Sequence, residues 1–388
     1  MSGSPYAEQV EKVLGRDVAE IISAKQQELH RLKARLGDSY VLFGAGHLGK
    51  AALAGLREAG LEPIAFADNN PELWNGQVSG VDVLPPQDAV ARFSREAIFV
   101  VTVYTSQPVW EQLLGLGVQP ISFAVLAWNH PRTLLPHADL ELPHVIFDAA
   151  DHVRMALSLW EDDCSRREYL GQLEWHTSLD RSVLPAHLPQ REIYFPDDIV
   201  EPSSKETFVD CGAFDGDTIR EFLKLRGSSF GQVIAIEPDP TNSQALRKYV
   251  AALPEDVRSR IRTIQSAVGL RKGKVKFTAA GSAASSVGEG PLEVECAPLD
   301  ELLADYSPSY IKMDIEGAEL DAVAGARKVI ERDAPILAIC LYHKLEHLWR
   351  IPLLIRSYSS SHKLFLRRYA DECWELVCYA VPTSRLRG

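Results

Sequence analysis

The sequence lacks long apolar runs and an N-terminal targeting pattern. The longest apolar runs, such as Ile336 to Leu341, are far shorter than the roughly 20 residues that a membrane-spanning helix needs. The first residues, MSGSPYAEQVEKV, show no basic start followed by an apolar core, so they do not resemble a secretory signal. We therefore expect a cytoplasmic protein without a membrane partner.

Cysteine is scarce and widely spaced. The 388 residues contain six cysteines, and no two of them form a CxxC pair. Zinc sites and disulfide frameworks use closely or regularly spaced cysteines. The sequence therefore predicts reduced thiols and excludes a small protein held together by disulfides.

Positive charge is in deficit. The chain has 41 lysine and arginine residues against 53 aspartate and glutamate residues, for a formal net charge of −12. Contacts with nucleic-acid phosphates need a basic surface, so we expect no nucleic-acid partner. At about 100–200 residues per domain, the length predicts two or three domains. The expected partner is a small-molecule substrate.

The first third of the chain changes its hydrophobic period at Tyr40. Before this residue, apolar side chains recur at helical spacing, which predicts an N-terminal helical segment over residues 1–36. From there to about residue 130, short β-type runs alternate with helical stretches. Because strands that alternate with helices form parallel sheets covered by helices, we predict a Rossmann-like ligand-binding domain over residues 37–130.

The remainder of the chain begins without strand patterns. Residues 131–202 are helical in pattern and contain many prolines, which predicts a helical connector. A second alternating series then predicts strands that begin at Thr207 and continue at 232–236, 261–264, 310–313, 336–341, 363–367 and 375–380. We assign residues 203–388 to a second domain. The expected fold class is α/β, with two Rossmann-like doubly wound domains joined by the helical connector.

A glycine-rich loop follows the first predicted strand of the second domain. Residues 208–218 read FVDCGAFDGDT, and the next strand ends at Glu237. Glycines let backbone N–H groups approach a ligand, and a carboxylate at the second strand end can accept both ribose hydroxyls. Carboxylates such as Asp215 would repel a pyrophosphate but tolerate an ammonium and a sulfonium. The loop therefore favours S-adenosylmethionine over NAD.

A third strand end carries an acidic cluster. Residues 311–319 read IKMDIEGAE, which places Asp314 and Glu316 where the strand should end, and His343 follows the next strand. A carboxylate pair beside a histidine suits removal of a proton from a hydroxyl group, with His343 as the base. The same three groups could instead hold a divalent cation, since all three are ordinary metal ligands.

Five segments in order, FVDCGAFDGDT, IEPDP, SAVG, IKMDIEGAE and LYHKLEHLW, resemble the FkbM family of S-adenosylmethionine-dependent methyltransferases over roughly residues 190–383. The resemblance implies a class I methyltransferase fold and methyl transfer to a hydroxyl of a sugar or natural product. Catalysis would fall to His343, Asp314 and Glu316. The loop and the resemblance together predict a cofactor site formed by Asp210, Gly212, Ala213, Asp215, Gly216, Thr218, Glu237, Ser266, Ala267 and Asp314.

A second glycine loop lies in the N-terminal domain. Gly44, Gly46 and Gly49 form a GxGxxG pattern between a strand and a helix, and Asp68 ends the next strand, as in dinucleotide-binding folds. No YxxxK motif follows in residues 75–150. The run ADNNPELWNGQVSGVDVLPP resembles the nucleotide-binding domain of bacterial sugar acyltransferases. Three alternatives stay open: a nucleotide or nucleotide-sugar site, a structural domain that makes a homo-oligomer, and an NAD-dependent oxidoreductase.

Overall fold

The computed structural model describes residues 5–278, 286–287 and 290–387. The chain divides into two compact units. The first unit takes the chain up to Ala150 together with Leu170–Ala186 and Ala370–Trp374. The second unit takes Asp151–Tyr169, His187–Tyr369 and the chain from Glu375 onward. Among the described residues, no helix combines the length and apolar character needed to cross a bilayer.

Strands and helices alternate along the first part of the chain. They are α1 (Pro5–Leu14), α2 (Val18–Leu36), β1 (Ser39–Phe43), α3 (His47–Glu58), β2 (Ala65–Ala67), β3 (Gln77–Val78), β4 (Val81–Leu84), α4 (Pro86–Phe93), β5 (Ala97–Val101), α5 (Gln107–Gly115), β6 (Ile121–Ser122), α6 (Phe123–Asn129), α7 (Pro131–Leu134), α8 (His144–Asp148), α9 (Ala150–Leu157) and α10 (Asp163–Ser178).

The first unit contains a six-stranded sheet in the order β3-β4-β2-β1-β5-β6. Its strands are parallel except β3, which runs antiparallel to β4. The central strands β1 and β5 are apolar and almost fully buried, as strands covered by helices on both faces must be. The helix α2 begins where Asp17 accepts hydrogen bonds from the backbone N–H groups of Ala19 and Glu20.

The elements of the second unit continue the alternation. They are β7 (Thr207–Cys211), α11 (Asp217–Arg226), β8 (Gln232–Ile236), α12 (Pro240–Ala251), α13 (Glu255–Arg258), β9 (Ile261–Ile264), β10 (Ala267–Val268), β11 (Gly273–Thr278), β12 (Ser286–Val287), β13 (Leu292–Ala297), α14 (Leu299–Leu302), β14 (Tyr310–Met313), α15 (Glu319–Ala324), α16 (Arg327–Asp333), β15 (Ile336–Cys340), α17 (His347–Tyr358), β16 (His362–Arg368) and β17 (Leu376–Pro382).

The main sheet of the second unit has seven strands in the order β16-β17-β15-β14-β7-β8-β9. All are parallel except β17, which runs antiparallel to β15 and β16. The strand order reverses direction between β7 and β14, so the carboxyl ends of these two strands flank the crevice where doubly wound sheets bind ligands. A smaller sheet pairs β10, β13, β11 and β12. The predicted α/β fold class is confirmed.

The cysteines are unpaired, and their exposure differs. Cys164 on α10 is exposed, whereas the other five cysteines are buried. Cys211 closes the buried strand β7 and lies in the second unit, while Cys373 lies in the first. Each unit therefore holds at least one thiol that solvent does not reach.

Candidate functional site

The second glycine loop connects β7 to α11 through two glycines with left-handed backbones. Gly212 has φ +79° and Gly216 has φ +92°. A β-carbon at Gly212 would lie 1.9 Å from the carbonyl oxygen of Asp314, and one at Gly216 would lie 2.7 Å from the ring of Tyr249. Only glycine fits at either position, so the loop can pass close to the end of β14.

A buried ion pair between β14 and β7 contacts this loop. The ammonium group of Lys312 on β14 lies 3.1 Å from Oδ1 of Asp210 on β7, and both side chains are almost fully buried. The same ammonium donates a hydrogen bond of 2.9 Å to the carbonyl oxygen of Gly212. Lys312 therefore ties together the two central strands and the first turn of the loop.

A cavity of about 270 Å³ opens at the carboxyl ends of the central strands. Its lining includes some of the predicted cofactor residues: Gly212, Thr218, Glu237, Ser266, Ala267 and Asp314. The other predicted cofactor residues lie behind the lining. Asp210 and Ala213 are fully buried, Gly216 packs on Tyr249, and Asp215 binds Arg220 with 2.5 Å between oxygen and nitrogen.

Glu237 lines the cavity from the end of β8. Its Oε2 accepts a hydrogen bond of 2.9 Å from the backbone N–H of Phe214, and its Oε1 accepts one of 2.9 Å from that of Asp239. Burial raises the pKa of this carboxyl to about 7. Each oxygen has a further lone pair, so the two oxygens can together accept the two hydroxyls of a ribose.

Asp314 and Glu316 line the cavity after β14. The hydroxyl of Tyr194 donates to Asp314 with a distance of 2.8 Å, and that of Tyr342 donates with 3.3 Å. Glu316 has a left-handed backbone, with φ +53°. Burial raises the pKa of the Glu316 carboxyl to about 7. The predicted pair of carboxylates therefore shares one wall of the cavity.

His343 lies behind this wall. Its Nε2 is 3.5 Å from Asp314 and 3.7 Å from Glu316, and its Nδ1 is 2.8 Å from Oε1 of Glu319. A carboxylate has no proton to donate, so the Nδ1–H group is the donor to Glu319. The structure thus brings the three predicted catalytic residues together, with His343 outside the cavity lining and Glu319 fixing its ring.

The charges of this group shift the pKa values of its members strongly. Burial alone would lower the pKa of His343, but the nearby carboxylates, led by Glu319, raise it to about 10. Burial alone would raise the pKa of Glu319, but His343, His347 and the backbone N–H of Ile315 together outweigh burial and lower it to about 2. His343 and Glu319 therefore form an imidazolium–carboxylate pair at neutral pH.

The residues that could hold a metal ion overlap with this pair. One ligand atom each of Asp314, Glu319 and His343 lies within 4.8 Å of the others. Oε1 of Glu319 already accepts hydrogen bonds from His343 and from the backbone N–H groups of Ile315 and Gly317. A metal that bound this oxygen would have to displace these contacts, whereas Oε2 of Glu319 is buried without a hydrogen-bond partner and could accept a metal directly.

Two acidic residues of this site, Glu319 and Glu375, were not predicted from the sequence. Glu319 is fully buried, and the motif IKMDIEGAE contains it, five residues after Asp314. Glu375 lines the cavity from the residue before β17. No motif surrounds Glu375, so only the fold of the second unit places it beside the others.

The N-terminal glycine loop lies in the first unit, between β1 and α3. Gly44 has φ +111°, and a β-carbon at Gly49 would lie 1.9 Å from the carbonyl oxygen of Gly44. At Gly46 a β-carbon would meet no atom within 4 Å. Asp68 accepts hydrogen bonds of 2.8 Å from the backbone N–H groups of Ala45 and Asn70.

Comparisons with known proteins agree with this geometry. A family model described as the methyltransferase FkbM domain matches residues 210–370. The chain is 27% identical over 149 residues to the 2-O-methyltransferase NoeI of Sinorhizobium fredii. This alignment covers 32% of this chain and 58% of that protein. It is 34% identical over 100 residues to the redox-sensing transcriptional repressor Rex of Desulfitobacterium hafniense, covering 24% of this chain and 48% of that protein.

The chain thus spans about half the length of the curated relatives it matches. A crystal structure of methyltransferase FkbM from Methylobacillus flagellatus KT superposes with a TM-score of 0.74 and 21% identity, covering 94% of this chain and 99% of that chain. This likeness shows the fold. The family model, in turn, matches a segment within the C-terminal half of the chain, residues 210–370, which is similar to the methyltransferase FkbM domain.

Proposed function

We propose that the second unit, which contains the predicted domain of residues 203–388, transfers a methyl group from S-adenosylmethionine to a hydroxyl group of a sugar or another natural product. The observation that carries this proposal is that Glu237, Asp314 and Glu316 line the same cavity. The cofactor supplies a methyl group already activated by a sulfonium. The protein therefore has to align the acceptor hydroxyl and remove one proton.

The cofactor side of the cavity is formed by the ends of β7, β8 and β9. Glu237 would accept the ribose hydroxyls, and Gly212 and Thr218 would meet the rest of the nucleoside end. Ser266 and Ala267 would lie against the adenine. The fit rests on Glu237, whose buried carboxylate faces the cavity with unused lone pairs.

His343 is the proposed base. The acceptor oxygen forms its bond to the methyl carbon as the bond from carbon to sulfur breaks, and the hydroxyl proton leaves toward the carboxylate wall. Glu316, on that wall and 3.7 Å from Nε2 of His343, passes the proton to the ring in molecules whose imidazole is neutral, a form that becomes more populated as the pH rises toward 10. Glu319 keeps the ring oriented through the hydrogen bond at Nδ1.

Calorimetric titration with S-adenosylhomocysteine tests the cofactor site. Glu237→Ala should weaken binding at least about 10-fold because two hydrogen bonds to a charged group are lost. Glu293→Gln, an exposed carboxylate on β13, is the matched control and should bind as the unchanged chain does. Absence of binding to the unchanged chain would refute the methyltransferase proposal.

A divalent metal at Asp314, Glu319 and His343 is the second proposal for the same site, supported by the 4.8 Å cluster of ligand atoms. The two proposals differ in what a chelator does. Loss of turnover after treatment with EDTA, restored by Mg²⁺ or Mn²⁺, would favour the metal. Turnover that survives the chelator would favour His343 as the base.

The N-terminal domain over residues 37–130 supports a second function, nucleotide or nucleotide-sugar binding. Asp68 holds the loop through its own carboxylate oxygens as Glu237 does in the second unit. The alternative is an NAD-dependent oxidoreductase. Gly46→Ala tests both, because its methyl group fits the fold but occupies space beside the loop. Thermal shifts with NAD, UDP-glucose and UDP, lost in this variant, would identify the ligand.

A further inference from the structure

Glu375 reaches the cavity because of the direction of β17. This strand runs antiparallel to β15, so its first residues lie at the edge where the parallel strands end. Glu375 precedes Leu376, the first residue of β17, and lines the same cavity as Asp314 and Glu316. The proposed methyl transfer gives Glu375 no role.

The backbone of Glu375 is held in an unusual conformation. Its φ is +54°, a value that glycine adopts freely and that a side chain disfavours. Its carbonyl oxygen accepts a hydrogen bond of 3.1 Å from the N–H of Tyr369, and Leu376 accepts one of 2.8 Å from Leu341. These contacts hold the residue in place in the lining of the cavity.

The carboxylate of Glu375 differs from its neighbours in its contacts. Asp314 accepts hydrogen bonds from Tyr194 and Tyr342, and Glu316 lies beside His343. Within the described parts of the chain, the Glu375 carboxylate has neither a hydrogen-bond donor nor an ion-pair partner. Burial, and next the charge of Asp314, raise its pKa to about 7. A half-buried carboxylate without a donor is a group that a ligand can satisfy.

The position of Glu375 in the fold indicates that the ligand of its carboxylate is the molecule that accepts the methyl group. Glu237 lies at the end of β8, on one side of β14, and Glu375 lies at the start of β17, on the other side. The end of the cavity beside β7 and β8 is assigned to the cofactor. The end beside β15 and β17 is left for the molecule that receives the methyl group.

We propose that Glu375 binds the acceptor, with its two carboxylate oxygens accepting hydrogen bonds from hydroxyl groups adjacent to the one that is methylated. This inference rests on the proposed methyltransferase function. It narrows the acceptor to molecules with neighbouring free hydroxyls, such as a pyranose diol. An acceptor whose only hydroxyl is the methylated one offers no donor to either oxygen of this carboxylate.

The test compares two variants from the same loop. Glu375→Gln keeps the shape of the side chain and removes its charge. Glu372→Gln is the matched control, because Glu372 is also a glutamate with a left-handed backbone, φ +55°, and it belongs to the first unit and does not line the cavity. Release of S-adenosylhomocysteine is measured with methyl hexopyranosides and methyl 6-deoxyhexopyranosides, and with deoxy analogues that lack the neighbouring hydroxyl.

The inference predicts that Glu375→Gln lowers kcat/KM for the diol glycosides by roughly 10- to 100-fold, mainly through KM, and leaves the Kd of S-adenosylhomocysteine unchanged. It also predicts that the deoxy analogues are poor substrates of the unchanged chain and are little affected by the variant. Glu375→Ala should reproduce the loss if Glu375→Gln fails to fold.

Other outcomes overturn the inference separately from the proposed function. Equal kcat/KM for Glu375→Gln, Glu372→Gln and the unchanged chain would refute a role of Glu375 in acceptor binding. Binding of S-adenosylhomocysteine without turnover of any glycoside would refute the sugar diol as the acceptor. Absence of S-adenosylhomocysteine binding would refute the methyltransferase proposal itself.

Discussion

At the scale of single residues, the Lys312–Asp210 pair is the contact on which the cofactor loop depends. Removing one partner of a buried ion pair leaves an uncompensated charge. Lys312→Met should therefore lower the free energy of unfolding by about 3–5 kcal/mol, measured by urea denaturation. The double variant with Asp210→Asn should recover part of this loss.

An exposed ion pair provides the control for this prediction. Lys363 and Glu161 form an ion pair at 2.9 Å, and their side chains are 38% and 41% exposed. Lys363→Met should cost less than about 1 kcal/mol. A similar cost for both lysine variants would show that burial of the Lys312 pair contributes little.

The His343–Glu319 pair should determine how turnover depends on pH. A base must be neutral to accept a proton, and the neighbouring carboxylates raise the pKa of His343 to about 10. Turnover at saturating substrate should therefore rise with pH up to about 10. Glu319→Gln removes the strongest of these charges, so the rise should move to lower pH by roughly 1–3 units. Glu346→Gln, which affects an exposed pair with Arg350, should leave the profile unchanged.

At the scale of elements, the turn between β7 and α11 requires glycine for two reasons that can be separated. Gly212 in this turn and Gly227 at the end of α11 both have positive φ values, +79° and +56°, and Gly227 has ψ −124°. A β-carbon at Gly227 would meet no atom within 4 Å, whereas one at Gly212 would meet a carbonyl oxygen at 1.9 Å. Gly227→Ala should cost about 1–3 kcal/mol for its backbone alone, because a residue with a β-carbon rarely adopts this conformation.

Gly212→Ala should cost a backbone energy of similar size and, in addition, about 1–3 kcal/mol for the shift of β14 that the clash demands. Thermal unfolding of the two variants measures the difference. Equal unfolding temperatures would mean that the end of β14 moves without cost. The measurement therefore reports how rigidly this turn is packed.

The strands that line the site were predicted well because their own residues specify them. The predicted strands 232–236, 261–264 and 310–313 match β8, β9 and β14 residue for residue. These segments are short apolar runs that end at charged or polar residues, a local pattern. Glu375 was not predictable in the same way, because its place depends on β17 pairing antiparallel with a strand some 35–40 residues earlier.

The placement of Asp210 and His343 shows another limit of local patterns. Both stand at strand ends, where ligand-binding residues are expected, yet both lie outside the cavity lining. Asp210 points toward Lys312, and His343 points toward Glu319. A strand alternates its side chains between two faces, so which residue reaches the ligand depends on packing that a motif does not describe.

At the scale of the whole molecule, the second unit includes residues far from the methyltransferase motifs. Asp162, Ser165 and Glu168 on or beside α10 contact β16: Asp162 binds Arg367 at 2.7 Å, and Glu168 binds Arg368 at 2.8 Å. Both arginines are almost fully buried. A chain shortened to residues 203–388 should therefore be markedly less stable than one of residues 151–388.

Limited proteolysis and urea denaturation of the two shortened chains measure this difference. The shorter chain loses an acidic partner for each of two buried arginines, at a cost of about 3 kcal/mol or more. Equal stability would mean that water or other carboxylates replace Asp162 and Glu168. The predicted domain boundary at residue 203 would then suffice for folding.

The six cysteines allow local unfolding to be measured by thiol labelling. A thiol reagent should modify exposed Cys164 rapidly, whereas a buried thiol should react only after the structure around it opens. Cys211 reports on the second unit beside the cofactor loop, and Cys373 reports on the first. The ratio of their labelling rates to that of Cys164 would measure the opening of each unit separately, and a ligand that slows only one of them would reveal which unit it binds.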